Sequence, residues 1–165
     1  MQFITDLMLG RLARWLRLLG FDTSSGVVDD DEILRVAKTE NRSLLTRDKM
    51  LFESARRLDI AGFYISSSNL QGQLLELFGE MGVTHVELDP NGSRCPVCNG
   101  TIASVETGEV EDRVPPKVRE FHREFWSCSR CEKVYWMGTH WEKIEKEIND
   151  LNSKLSRESG SDGAG

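Results

Sequence analysis

The chain has 165 residues, of which 39% are hydrophobic and 29% charged, and a formal net charge of −6. This balance suits one ordinary globular domain plus a small module, and no apolar run is long enough to span a bilayer, so a membrane role is not expected. The acidity argues against gripping nucleic acid by bulk charge, while leaving room for contact through bound metal ions and a few local arginines.

Elements alternate over the first half of the chain. Gln2–Leu7 reads as a short buried strand, and Leu9–Leu19 as a helix with Leu12, Trp15, Leu16 and Leu19 at helical spacing, ended by Gly20. Asp30–Lys38 reads as a helix whose acidic start suits its dipole, with Ile33, Leu34 and Ala37 as the apolar stripe. Ser43–Thr46 is a second strand, Lys49–Leu58 a helix, Gly62–Ile65 a third strand and Leu70–Met81 an amphipathic helix. Strands separated by helices predict an α/β fold, a parallel sheet with right-handed crossovers. Asp89-Pro90-Asn91-Gly92-Ser93 is a run of turn formers and reads as a linker. The expected organisation is therefore a first domain over 1–88, a small module over 89–143 and a tail over 144–165. Within the module, Thr101–Val105 reads as a hairpin arm and Pro115–Phe125 as a short helix. In the tail, Glu142–Lys154 is a charged helix and 160–165 is Gly/Ser-rich and expected to be irregular.

All four cysteines lie in the second half as two CxxC pairs, Cys95 with Cys98 and Cys128 with Cys131. Each pair lets two thiolates converge on one ion, and two pairs complete a tetrahedral four-sulfur shell of the structural zinc type. Pro96 and Gly100 stand where such a knuckle turns tightly. No secretory leader opens the sequence, so a reducing, cytoplasmic setting is expected, and metal is favoured over disulfides. A closed shell of four sulfurs leaves no open position for chemistry.

Three carboxylates stand out by position. Asp6 follows the first strand, Asp30 begins a helix, and Asp48 follows the strand in RSLLTRD. The crevice beyond the carboxyl ends of parallel strands is where ligands bind, and carboxylates gathered there suit Mg²⁺ or Mn²⁺. Such ions serve phosphodiester hydrolysis. Ordinary roles are open to each: a turn or cap for Asp6, capping within the acidic run 29–32 for Asp30, and an N-cap for Asp48. Arg11, Arg14 and Arg17 recur every three residues on the first helix, and Arg47 adjoins Asp48. Arginine forks suit phosphate, although a solvated helix face explains the triplet equally well.

Five segments, DLMLGRLARWLRLLGFDT, DDDEILRVAKTENRSLLTRDKML, RCPVCNG, RVPPKV and CSRCEKVYWMGTHW, resemble the Mut-seven C-terminal RNase domain family. The resemblance spans roughly residues 3–141 and implies a PIN-like nuclease domain fused to a zinc ribbon. It implies that Asp6, Asp30 (seven residues before Ala37) and Asp48 hold the catalytic Mg²⁺ or Mn²⁺. The further acidic residue of typical PIN-fold nucleases has no clear counterpart, with Asp31 and Glu53 the nearest substitutes. Arg14, Arg17 and Arg47, in the matching segments, and Gln73, within the span of the resemblance, are implied as substrate contacts. Tyr135, Trp136, His140 and Trp141 follow the last knuckle, where aromatic rings stack bases and His140 meets phosphate, or where the tryptophans simply build a small core. Arg113, Lys117, Arg119, His122 and Arg123 give the insert a basic character suited to single-stranded RNA. The implied activity is metal-dependent cleavage of RNA phosphodiesters. The alternatives are a non-catalytic RNA-binding adaptor with a degenerate site, working on tRNA, rRNA or a ribonucleoprotein, and a ribbon that docks proteins; homodimerisation is also open.

Overall fold

Phe3 and Ile4 are neighbours on a strand, so they point to opposite faces, and both are fully buried; the same is true of Leu44 and Leu45. Strands buried on both faces need a layer of helices on each side. The computed structural model of the protein, which describes residues 1–161, has that architecture. Strands β1 (Gln2–Thr5), β2 (Asp22–Ser24), β3 (Ser43–Thr46) and β4 (Gly62–Tyr64) form a parallel sheet in the order β2-β1-β3-β4. Helices α1 (Gly10–Leu18), α2 (Asp30–Thr39) and α3 (Lys49–Arg57) make the crossovers, and α4 (Leu70–Glu80) follows the last strand. On one face, Phe3 and Leu45 pack against Leu12 and Leu16 of α1 and Leu74, Leu77 and Phe78 of α4. On the other, Ile4 and Leu44 meet Ile33, Leu34 and Ala37 of α2 with Leu51 and Ala55 of α3.

The second sheet is antiparallel, β5 (Ile102–Val105), β6 (Phe125–Cys128) and β7 (Val134–Tyr135), with β6 in the centre. A 3-10 segment, Thr107–Arg113, and the short helix α5 (Pro116–Phe121) connect β5 to β6 and cover a small core of Val110, Val114 and Phe125. The sheet and the cysteine cluster beside it are compatible with a zinc ribbon.

Several boundaries differ from the sequence expectations, each for a local reason. The first strand ends at Thr5, because the Asp6 carboxylate caps a 3-10 turn over Leu7–Leu9. β2 has only three residues, and two of them, Asp22 and Ser24, are only half-buried, so it carries no strand periodicity. The helix expected over Pro115–Phe125 stops at Phe121, and Phe125 opens β6 instead. The Asp89–Ser93 turn is docked onto α1. Ser93 donates its hydroxyl to Leu18 O at 2.6 Å, and the amide of Arg94 donates to Arg17 O at 2.8 Å. Gly20, left-handed at φ +88°, lets the Gly92 carbonyl approach to 2.8 Å of where a Cβ would stand.

The largest difference concerns the C-terminal helix α6, Thr139–Ser161, which begins within the expected module and passes through residues 160–161. Residues 162–165 lie outside those described. Its apolar stripe, Ile144, Ile148, Leu151 and Leu155, belongs to the main core beside α4. Asn152 adds a two-way clasp on the Val86 backbone, at 2.9 Å in each direction. Among the described residues no helix is long and apolar enough to cross a membrane. Since Leu151 is fully buried, Leu151→Ala is expected to lower stability by about 2–5 kcal/mol in urea unfolding, a loss that a loosely attached helix would not produce.

Candidate functional site

In the order β2-β1-β3-β4, the crossovers leave β1 in opposite directions, which places the topological switch point between β1 and β3. Asp6 leaves the end of β1 and Asp48 the end of β3, so the two carboxylates bracket that crevice. Asp6 is buried and well bonded. Its Oδ1 accepts from the amide of Leu9 at 3.1 Å, and its Oδ2 accepts from the amide of Arg47 at 3.0 Å and from the Thr46 hydroxyl. The Thr46 hydroxyl in turn accepts from the amide of Asp48 at 2.9 Å. This chain of bonds ties the ends of β1 and β3 together.

Asp48 does cap a helix: its Oδ1 accepts from the amides of Met50 at 2.7 Å and Leu51 at 3.1 Å. Its Oδ2 takes no hydrogen bond from the described residues. Capping of α2 falls to Asp29, whose carboxylate accepts from the amide of Glu32 at 2.9 Å, and Asp30 stays exposed in the first turn. Partial burial, and then the charges of Asp48, Asp29, Asp31 and Asp6, hold the Asp30 carboxyl above the usual aspartate range. The three predicted carboxylates therefore share one negative field. They are not drawn together as the thiols are: among the described residues, the cysteines form the only group of three or more potential ligands close enough to share an ion. Asp31 is exposed beside Asp30, and Glu53 faces Arg56 at 3.9 Å.

The far side of the crevice is the loop after β4. The Glu76 carboxylate accepts from the amides and hydroxyls of both Ser66 and Ser67, including the Ser66 amide at 2.8 Å. Arg47 reaches the Ser66 carbonyl at 3.4 Å, and its buried Nε has no partner. Gln73 is buried and donates to the Ser67 carbonyl at 3.2 Å, so it braces this loop. Burial pushes the Glu76 carboxyl up, but the serine donors outweigh it and leave it below the ordinary glutamate value of 4.5. A depressed native value adds stability above the unfolded pKa and loses it as pH falls through the native one. Thus Glu76→Gln is expected to flatten the acid limb of the stability curve below pH 4.5 and to increase amide exchange at Ser66 and Ser67.

The other predicted contacts lie elsewhere. Arg17 is 5% exposed and turned inward. Its Nε donates to Thr23 O at 2.8 Å, Nη1 to Pro96 O at 2.9 Å and Val97 O at 3.3 Å, and Nη2 to Ser25 Oγ at 2.6 Å. Its donors are spent on the chain itself, which corrects the expectation of a phosphate contact. Arg113 is likewise bound to the carbonyls of Glu132 and Glu109, and Arg119 faces Glu111 at 3.8 Å, which leaves the insert less basic than its sequence reads. Lys117 is exposed on α5. Arg14 and His140 line a groove beside α1.

The four cysteine sulfurs lie within 4.8 Å of one another, with Cys95–Cys131 at 3.6 Å and Cys98–Cys128 at 3.4 Å. A tetrahedral zinc shell with bonds of about 2.3 Å has sulfur–sulfur edges of about 3.8 Å, so the cluster fits a metal such as zinc. The two knuckles repeat one hydrogen-bonded turn. Cys95 N donates to Gly100 O and Asn99 N to Cys95 O, each at 2.8 Å. Cys128 N donates to Lys133 O at 2.9 Å and Glu132 N to Cys128 O at 3.1 Å. Asn99 and Glu132 occupy equivalent left-handed positions, at φ +66° and +59°. Burial opposes ionisation of Cys95, but the Tyr135 hydroxyl at 3.0 Å and the amides of Cys98 and Val97 donate to its sulfur and bring the thiol down to about 6. A Cβ on Gly100 would stand 2.8 Å from Cys128 Sγ and 3.3 Å from Cys98 Sγ. Gly100→Ala is accordingly expected to lower the retained metal per chain, measured by elemental analysis, while the parallel sheet still folds.

Tyr135, Thr46 and Glu76 were not singled out for these contacts by sequence reasoning. Tyr135 had a usable signal, four residues beyond Cys131; Glu76 had none beyond the Ser66-Ser67 pair. No curated protein matches the chain, and no solved structure does. The family model described as Mut7-C RNAse domain matches residues 1–148, nearly the whole described chain, and the protein belongs to that family.

Proposed function

We propose that the crevice between β1 and β3 hydrolyses RNA phosphodiesters with one or two Mg²⁺ or Mn²⁺ ions, in the manner of a PIN-like ribonuclease. The feature that supports this reading is the position of Asp6 and Asp48 at the ends of β1 and β3, on the two sides of the switch point, with Asp30 in the same negative field. The donor set fits: carboxylate oxygens suit hard cations, and Asp30 and the open Oδ2 of Asp48 are free to bind while Asp6 fixes their frame. Such ions supply a water nucleophile at neutral pH and neutralise charge at the phosphate. Arg47, with its unpartnered Nε, holds the substrate backbone next to Asp48. The thiol cluster carries one structural zinc, which shapes the second sheet and takes no part in chemistry.

A non-catalytic RNA-binding adaptor is the second reading. It is favoured by the spacing of the three carboxylates, which do not form a ready ligand group.

Asp48→Asn keeps a good helix cap and Asp30→Asn alters an exposed side chain, so both are expected to fold normally. Each is expected to lower Mn²⁺-dependent cleavage of single-stranded RNA by roughly a hundredfold or more, the scale of a well-placed catalytic group, and to abolish the rise in melting temperature expected of the wild type with Mn²⁺. Asp6→Asn is a poorer probe, because an amide there meets the donors of Thr46 and Arg47 and costs about 1–3 kcal/mol of stability. Full activity in Asp48→Asn would remove the crevice from the mechanism.

A further inference from the structure

A groove of about 790 Å³ runs along the side of α1, between α1, the antiparallel sheet and the start of α6. All four tryptophans of the protein line it: Trp15 from α1, Trp126 from β6, Trp136 just after β7 and Trp141 from α6. Trp15 packs against the main core, Trp136 against the small core of the second sheet, and Trp126 is buried, whereas Trp141 is only half-buried and packs into none of the three apolar clusters.

Two of the indoles are held by hydrogen bonds at their edges, and a third lies close against a glycine. Trp126 Nε1 donates to Asn91 Oδ1 at 3.0 Å, and Trp141 Nε1 donates to Glu145 Oε1 at 2.8 Å. The Trp136 pyrrole edge rests against Gly138, where a Cβ would come within 3.1 Å of Nε1. Edges fixed in this way leave the ring faces preorganised for a flat guest, with little ordering entropy left to lose on binding.

The charge lining the groove is the reverse of the chain's net charge. Arg11 and Arg14 stand along one wall, Lys143 and His140 on the other, and Lys133 on the sheet. All five are exposed, and none makes an ion pair among the described residues. The one acidic side chain in the lining, Glu147, is engaged by Gln71 at 2.8 Å. Four unpaired cations, Arg11, Arg14, Lys133 and Lys143, collected around aromatic side chains on a protein of net charge −6, match a ligand that alternates flat rings with negative charges.

We infer that this groove binds unpaired nucleotides of single-stranded RNA, stacking bases on Trp136 and Trp141 and pairing phosphates with Arg11, Arg14 and the lysines. The volume falls within the roughly 300–1,000 Å³ of small-ligand sites, so it takes a short stretch rather than a duplex. Since α1 begins four residues after Asp6 and Arg11 lies in its first turn, the groove starts beside the crevice and leads away from it. The inference rests on the RNA-directed reading above and adds where the strand outside the cleavage site is held.

The test uses the tryptophans as their own probe: quenching of intrinsic fluorescence by a single-stranded oligouridylate, in zinc-loaded protein without Mg²⁺ or Mn²⁺. Wild type and Asp48→Asn are expected to quench alike, with affinity falling steeply as salt rises. Arg11→Glu with Arg14→Glu, both on the exposed flank of α1, and Trp141→Ala are each expected to weaken binding about tenfold with unchanged melting temperature, and Trp141→Phe to recover most of it. RNA cleavage by wild type without quenching, and undiminished in the arginine double variant, would overturn the groove and leave the ribonuclease standing. Quenching lost in the variants, with no cleavage under any metal, would keep the groove and overturn the hydrolytic reading. Equal quenching by an RNA duplex or by an acidic peptide would overturn the inference.

Discussion

One buried guanidinium lies at the centre of the seam between the two halves of this molecule. Arg17 enters the interior from the last turn of α1, and its fork is filled by carbonyls on both sides: Thr23 from the edge strand β2, and Pro96 and Val97 from the first cysteine knuckle. A buried cation tolerates that position only when its donors are satisfied, and lysine has no planar fork with which to do the same. Asn99 completes the seam by accepting the Thr23 amide at 3.1 Å and donating to Asp22 at 2.9 Å. Asp22 also pairs with Arg42 at 2.6 Å and faces Arg94 at 3.4 Å, and although burial pushes its carboxyl up, these partners hold it below the usual range. The edge of the parallel sheet is thereby covered by the knuckle, so β2 presents no open strand for another chain to pair with.

That seam explains why the thiol cluster matters to a site with which it shares no residue. The first cysteine knuckle presents the Pro96 and Val97 carbonyls to Arg17 and the Asn99 amide to β2. Those contacts fix the end of α1, and the start of α1 follows directly from Asp6. The helix α6 closes the arrangement from the opposite side, packing Ile144, Ile148, Leu151 and Leu155 against the same face of the sheet. The two sheets are bound by these elements into one scaffold, with the crevice at one end of α1 and the tryptophan groove along its side.

The crevice divides its carboxylates by task. Asp6 gives its oxygens to backbone and hydroxyl donors and fixes the relation of β1 to β3, whereas Asp30 and the outer oxygen of Asp48 stay open. Glu76 and Gln73 do structural work on the facing loop, which keeps Arg47 beside Asp48.

Much of this was legible in the sequence, because local rules decide it. The α/β alternation follows from apolar spacing within each segment, and the four sulfurs follow from two CxxC turns that need little from the rest of the chain. The placement of Asp6 and Asp48 at strand ends follows from the strands themselves. What stayed hidden depends on partners distant in sequence. Arg17 sits in register with Arg11 and Arg14 and reads like them, yet its partners at 96–97 turn it inward. β2 is a strand only because β1 and the knuckle supply its hydrogen bonds, and α6 is part of the core only because its apolar stripe meets α4. The tryptophans at 15, 126, 136 and 141 are separate in the chain, and only the docking of α1, the antiparallel sheet and α6 gives them one groove. Short-range chemistry is written in the order of residues, whereas burial, the sharing of a cavity and the direction of a long side chain are set by which surfaces the fold brings together.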